Sequence, residues 1–209
     1  MRRQLRISGA DALEPHDHVA WYGSGTADLY ALAGHALAAG ARRGEKLLFI
    51  AEDPDPARLE LDELDRLLAR GRLEVLPVES VYGTSSSFSA RRQLATFEAV
   101  LADAMADGYP GIRLVADNTS FVLGGEGVFR RWLRWEQLTD RFASNSNVIG
   151  ICYFDRDLLS DERQSDLASL HPVCAANGAF TLDRMVMYCT SHRVFSRNRE
   201  SFTGNGQER

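Results

Sequence analysis

A chain of 209 residues with a net charge of −5 fits one α/β domain of several strand–helix units. Its acidic balance argues against general nucleic-acid or anionic-membrane binders, which need a basic face. Three cysteines, Cys152, Cys174 and Cys189, are odd in number and lack Cys-x-x-Cys spacing, so neither a disulfide framework nor a zinc knuckle is expected. No apolar run approaches the roughly 18 residues that span a bilayer and no apolar signal core follows Arg2 and Arg3, so a cytoplasmic protein without membrane contact is expected.

Residues 1–15, polar and ending at Pro15, read as a flexible arm; residues 16–192 form a single domain, and 193–209 a flexible polar tail. An apolar run from Val19 stops at Gly23 and Gly25, and a helical pattern through Leu29, Leu32, Ala33, Ala36 and Leu37 follows, which is a strand, a tight turn and a helix start. Lys46 to Ala51 is a continuous apolar run of the kind covered on both faces, closed by Glu52, Asp53 and Pro54. Pro56 to Arg70 predicts a second helix, and Leu73 to Val78 a third strand. Residues 80–89 form a polar connection before a helix that starts near Ser89 and ends at Gly108. Ile112 to Asp117 is the fourth strand. After the glycines at 124, 125 and 127, a tryptophan-bearing helix runs from about Val128 to Ala143. Val148 to Phe154 is the most apolar strand, a short helix covers about 161–170, and Phe180 to Cys189 reads as a last strand or hairpin.

This alternation predicts a three-layer α/β fold: a mostly parallel central sheet with right-handed crossovers and helices on both faces. Ligands of such sheets bind beyond the carboxyl ends of the strands. The residues leaving those ends are Trp21, Tyr22, Gly23, Ser24, Gly25 and Thr26 after the first strand, and Glu52 after the second. Asp117 and Asn118 leave the fourth strand, and Asp155 and Arg156 the fifth. The Gly23 to Thr26 turn places unpaired helix N–H groups where an anion could sit. It has no Lys, so it lacks the Gly-x-x-x-x-Gly-Lys-Ser/Thr pattern of a nucleotide-hydrolysing loop.

His18 opens the first strand and can donate to a ligand or titrate near neutral pH. With His16 and Asp17 it hints at a metal, but no second cluster with ligand spacing accompanies them and no metal is expected. On the tryptophan-bearing helix, Phe129, Trp132, Leu133 and Glu136 share one stripe. Glu136 there needs a partner, because an unpaired buried charge is very costly. Either Trp132 and Glu136 line an aromatic pocket, or the stripe is core and Glu136 pairs with Arg131 or Arg134. No nucleophile elbow, His-Glu-x-x-His or dinucleotide fingerprint is present, so no catalytic residue is assigned and a non-enzymatic role is expected.

The order of His18 to Tyr22, Arg43 to Glu45 before a strand ending in Ala51 to Asp53, Gly71 to Leu76, Gly108 and Tyr109 with Arg113 to Val115, Trp135 and Glu136, Tyr153 to Arg156, and His171 with Pro172 resembles the MEDS domain. This is the methanogen/methylotroph DcmR-type sensory domain, and the likeness spans roughly residues 16–190. The resemblance implies a RecA/KaiC-like core lacking the nucleotide-hydrolysis loop, which acts as a small-molecule sensor in prokaryotic signalling and transcription regulation. Relatives are often fused to kinase, DNA-binding or anti-sigma-antagonist modules. None is visible here, so output is expected to pass to a separate signalling protein of kinase, anti-sigma or anti-sigma-antagonist type, or to a second copy in a homodimer.

The leading expectation is a non-catalytic sensor that binds a small organic molecule at the strand ends, with residues 80–90 and 119–127 as loops ordered by it; no cofactor is named. One alternative is an interaction module, without ligand, that regulates a sigma-factor or histidine-kinase pathway. The other is a degenerate nucleotide-binding protein.

Overall fold

The computed structural model describes residues 10–176 and 179–182. Strand β1 (His18–Gly23) feeds α1 (Gly25–Arg42), and β2 (Lys46–Ala51) is followed by a 3-10 turn at Pro56–Leu59 and by α2 (Leu64–Ala69). Strand β3 (Leu73–Pro77) leads to α3 (Val78–Tyr82) and α4 (Ala90–Ala106). After β4 (Ile112–Asp117) come α5 (Thr119–Val122) and α6 (Glu126–Ser144). Strand β5 (Val148–Asp155), α7 (Asp161–Ala168), β6 (Val173–Ala176) and β7 (Ala179–Leu182) complete the described chain.

One sheet holds all seven strands in the order β3-β2-β4-β5-β1-β6-β7. Six run parallel, and β7 pairs antiparallel to β6. The three-layer α/β architecture expected from the sequence is therefore present. The period-two alternation of strands assigns the faces. Val19 and Trp21 of β1 join a core with α1 and α2, whereas Ala20 and Tyr22 face a second core with α3 to α7. Because the crossover after β1 lies on one face and that after β5 on the other, the crevice beyond these neighbouring strands is a switch point of the topology. No helix among the described residues is long and apolar enough to cross a membrane.

The expected single helix over 56–70 is broken, because Glu60 and Glu63 adopt left-handed backbone (φ 50° and 57°) while Leu59 and Leu61 turn inward. The stretches 80–90 and 119–127, expected as loops, hold the end of α3 and all of α5, which bury Tyr82, Phe121 and Val122. From Ala10 onward the arm is docked: Ala10 and Leu13 are buried, and Arg113 donates to the Ala10 carbonyl at 3.1 Å. The tail over 193–209 and residues 183–189 of the last expected strand lie outside the described residues.

Candidate functional site

The residues named from the sequence separate into two groups at opposite ends of β1. At its carboxyl end, Gly23 is required by a close approach: a Cβ there would lie 2.5 Å from the Tyr153 ring. That approach lets the Tyr153 hydroxyl donate to the Gly25 carbonyl at 2.7 Å and staple the turn. The N–H groups of the N-cap Ser24 and of Gly25, the first residue of α1, are taken by the chain's own carboxylates. Ser24 N–H donates to Asp28 at 2.8 Å and Gly25 N–H to Asp155 at 3.1 Å, while the Ser24 hydroxyl donates to Asp157. Arg58 reaches the Thr26 hydroxyl at 3.4 Å.

Next to this turn, burial raises the Asp117 carboxyl above its usual range; two bonds from Thr119 oppose the shift, and the charges of Glu52 and Asp155 add to it. Asn118 is 1 % exposed, and among the described residues neither its Oδ1 nor its Nδ2 has a hydrogen-bond partner. Glu52, Asp117, Asn118, Asp155 and the 23–26 turn thus gather at the switch point; Arg156 lies there too, 3.9 Å from Asp157. Trp21 does not join them, for it packs in the core on the α1 face, and Tyr22 is buried on the other face with its hydroxyl on the Gln164 carbonyl at 3.0 Å.

The second group lies between the sheet and α6. His18, first residue of β1, and Cys152 of β5 point to the same face, where α6 lays Glu136 over them; His171, just after α7, closes the group. Glu136 Oε2 is 3.4 Å from His18 Nε2, 3.3 Å from His171 Nε2 and 3.7 Å from Cys152 Sγ, and Cys152 Sγ is 3.4 Å from His18 Nε2. Its other oxygen accepts the Trp132 indole N–H at 2.6 Å. His171 Nδ1 donates to the Leu167 carbonyl at 2.8 Å, and His18 Nδ1 faces Asp140 at 3.6 Å. These are the partners of Glu136, not Arg131 or Arg134; Arg131 instead donates to the Ser85 carbonyl.

Electrostatics within the cluster follow from complete burial. Burial alone would raise the Glu136 carboxyl, but the close approach of the His171 and His18 rings outweighs it and holds it at about 2. Burial would depress His18, yet Cys152, Asp140 and Glu136 together keep it well above 6.5. Burial and the charge of His18 lower His171, and burial with the Glu136 charge pushes the Cys152 thiol to about 11.

Trp132 does not line an open aromatic cleft. It stacks on Phe121 at 4.6 Å between ring centroids and meets Phe88 and Tyr82 edge to face or tilted. His18, Glu136, Cys152 and His171 are the one group of metal-ligating side chains among the described residues, with a donor atom from each lying within 4.8 Å of the others. Sequence spacing could not reveal it, because its members come from four separate elements. His16 and Asp17 lie outside it, turned to the Ala143 carbonyl and the Glu14 N–H.

The crossover pattern and the switch-point crevice define a RecA-like α/β domain. Its fold is similar to that of the flagellar accessory protein FlaH from Methanocaldococcus jannaschii, with a TM-score of 0.52 and 10% identity over 82% of this chain and 74% of that one. The chain belongs to the MEDS family, the MEthanogen/methylotroph, DcmR Sensory domain, whose sequence model matches residues 17–172. No curated protein is significantly similar to it.

Proposed function

We propose that this domain is a non-catalytic sensor whose ligand is a small neutral or cationic organic molecule held beside Asn118, and that occupancy is relayed to a partner signalling protein or domain. Membership of a sensory family supports the signalling role. Asn118 carries the ligand assignment: an amide 1 % exposed with both polar atoms unpartnered costs about 1–3 kcal/mol for each unmet group. A molecule offering one donor and one acceptor would remove that cost.

Charge narrows the class. A phosphate at the α1 terminus would compete with Asp28 and Asp155 for its N–H groups and face Asp117 and Glu52. This weighs against the degenerate-nucleotide reading. A relay runs outward from the same point, since Asn118 caps α5, Phe121 of α5 stacks on Trp132, and α6 turns its exposed Arg130, Arg134 and Arg141 to solvent. A ligand shifts only an equilibrium whose states it binds differently, so α5 is the element expected to change.

Native mass spectrometry of freshly purified protein, followed by denaturation, tests the reading. A released organic adduct that is lost in Asn118→Leu, with folding stability equal or higher, supports it. An Asn118→Leu protein that unfolds more easily and keeps the adduct makes Asn118 structural and removes this site.

A further inference from the structure

We propose that His18, Glu136, Cys152 and His171 form a tetrahedral site for a divalent zinc-type ion that pins α6 to the sheet, a site separate from, and independent of, the ligand site beside Asn118. Spacing is the first argument. Bonds of about 2.0–2.3 Å from a tetrahedral zinc put neighbouring donor atoms about 3.3–3.8 Å apart. Four of the six donor pairs here lie at 3.3, 3.4, 3.4 and 3.7 Å, and all fall within 4.8 Å. The two nitrogen–oxygen distances, 3.4 Å from His18 and 3.3 Å from His171, are long for hydrogen bonds, whose usual limit is about 3.2 Å; the two contacts of the Cys152 sulfur are of ordinary hydrogen-bond length.

Donor chemistry is the second argument. With Nδ1–H given to the Leu167 carbonyl, His171 turns a bare Nε2 toward Glu136 Oε2, and that buried nitrogen has no hydrogen-bond partner among the described residues. Two acceptors facing each other in a dry interior repel unless a proton or a metal cation lies between them, and their 3.3 Å separation is longer than the usual N–H···O bond a proton would make. Two of the donors are held by an orienting group, the Leu167 carbonyl for His171 and the Trp132 indole for the second Glu136 oxygen, while Asp140 faces His18 Nδ1 at 3.6 Å without a hydrogen bond. Such outer partners fix ring tautomer and direction in metal centres.

Charge closes the case. Two neutral imidazoles, one carboxylate and one thiolate neutralise a dication, and ion binding displaces to solvent the Cys152 thiol proton together with the proton His18 carries in the metal-free cluster. Nitrogen and sulfur donors favour zinc-type ions over magnesium or calcium, which take oxygen. Four protein donors at most 6 % exposed leave no open coordination position, which is the pattern of a structural site. The ion would join β1, α6, β5 and the segment after α7.

The full chain, stripped with a chelator and titrated with Co²⁺, decides the matter. The expected result is one equivalent bound with intense tetrahedral bands and a thiolate charge-transfer band, displaced by Zn²⁺. Cys152→Ser removes the charge-transfer band and weakens binding by more than about 100-fold, while Asp140→Asn weakens it by about 10–100-fold. Cys174→Ser with Cys189→Ser changes neither. Weak octahedral bands, a charge-transfer band surviving Cys152→Ser, or folded wild-type chain that takes up neither ion at micromolar concentration would overturn the site and leave a proton-sharing imidazole–carboxylate cluster. Should Cys152→Ser fail to fold, the wild-type spectrum with the two-cysteine control still decides.

Discussion

Trp132 donates its indole N–H to Glu136 Oε1 at 2.6 Å, and both side chains, one turn apart on α6, are completely buried. A hydrogen bond to a buried charge contributes more than one between neutral groups, about 1.5–3 kcal/mol. Trp132→Phe therefore removes that bond as well as ring volume, whereas Trp135→Phe, at a neighbouring buried tryptophan stacked on Phe97, removes only volume. Urea unfolding should show Trp132→Phe to be the more destabilising by about 1.5–3 kcal/mol. Equal losses would mean that the histidines alone hold the carboxylate.

On the other face, Arg113 is wholly buried against Glu45, with Nε to Oε2 at 2.7 Å. Removing one member of such a pair leaves the other charge uncompensated, which costs about 3–5 kcal/mol. Glu45→Ala should lose that amount. Arg113→Met with Glu45→Leu should recover most of it, since apolar replacement of both partners is often neutral. A double mutant no better than Glu45→Ala would locate the loss in the bond from Arg113 to Ala10, which docks the amino-terminal segment.

Two helical glycines should respond with opposite sign. A Cβ at Gly34 of α1 would sit 2.3 Å from the Leu59 carbonyl oxygen, a backbone atom that cannot swing aside. Gly34→Ala is expected to cost about 1–3 kcal/mol as overpacking. At Gly127 in the first turns of α6, the nearest such atom is the end of the Arg131 side chain at 3.9 Å, so Gly127→Ala should stabilise by about 0.5–1 kcal/mol through helix propensity. Thermal unfolding of both variants checks the pair.

The contrast between these elements shows what was legible in the sequence. Strands β2 and β4 match the expected 46–51 and 112–117 because strands buried on both faces are written as unbroken apolar runs. The break in the 56–70 segment is not visible in the sequence because left-handed backbone at Glu60 and Glu63 leaves no mark in hydrophobic period. Glu136 on an apolar stripe announced that it needed a partner. The identity of that partner was hidden, since His18 and His171 reach it only once β1 and the end of α7 are brought under α6. Local periodicity carries no record of such contacts. Cys152 lies in an apolar run and is buried; its place beside two histidines is a property of the fold.

Asp117 gives the expected pH dependence at the strand ends. Its folded carboxyl is raised above 3.8, first by burial and further by Glu52 and Asp155. A carboxyl raised on folding binds its proton more tightly in the native state, so its favourable contribution is present below the unfolded value and is lost as pH rises through the folded one. Above the unfolded value, as pH rises through the folded one, Asp117 thus works against folding. Asn can still accept the Thr119 N–H that Asp117 accepts at 3.0 Å, and it cannot ionise. Asp117→Asn should raise the unfolding midpoint at pH 7, and the gain should shrink as pH falls and Asp117 takes up its proton. Melting curves across that range check both halves. A gain independent of pH would trace the effect to packing, and a loss at pH 7 would mean that the charge of Asp117 has a stabilising partner at the switch point.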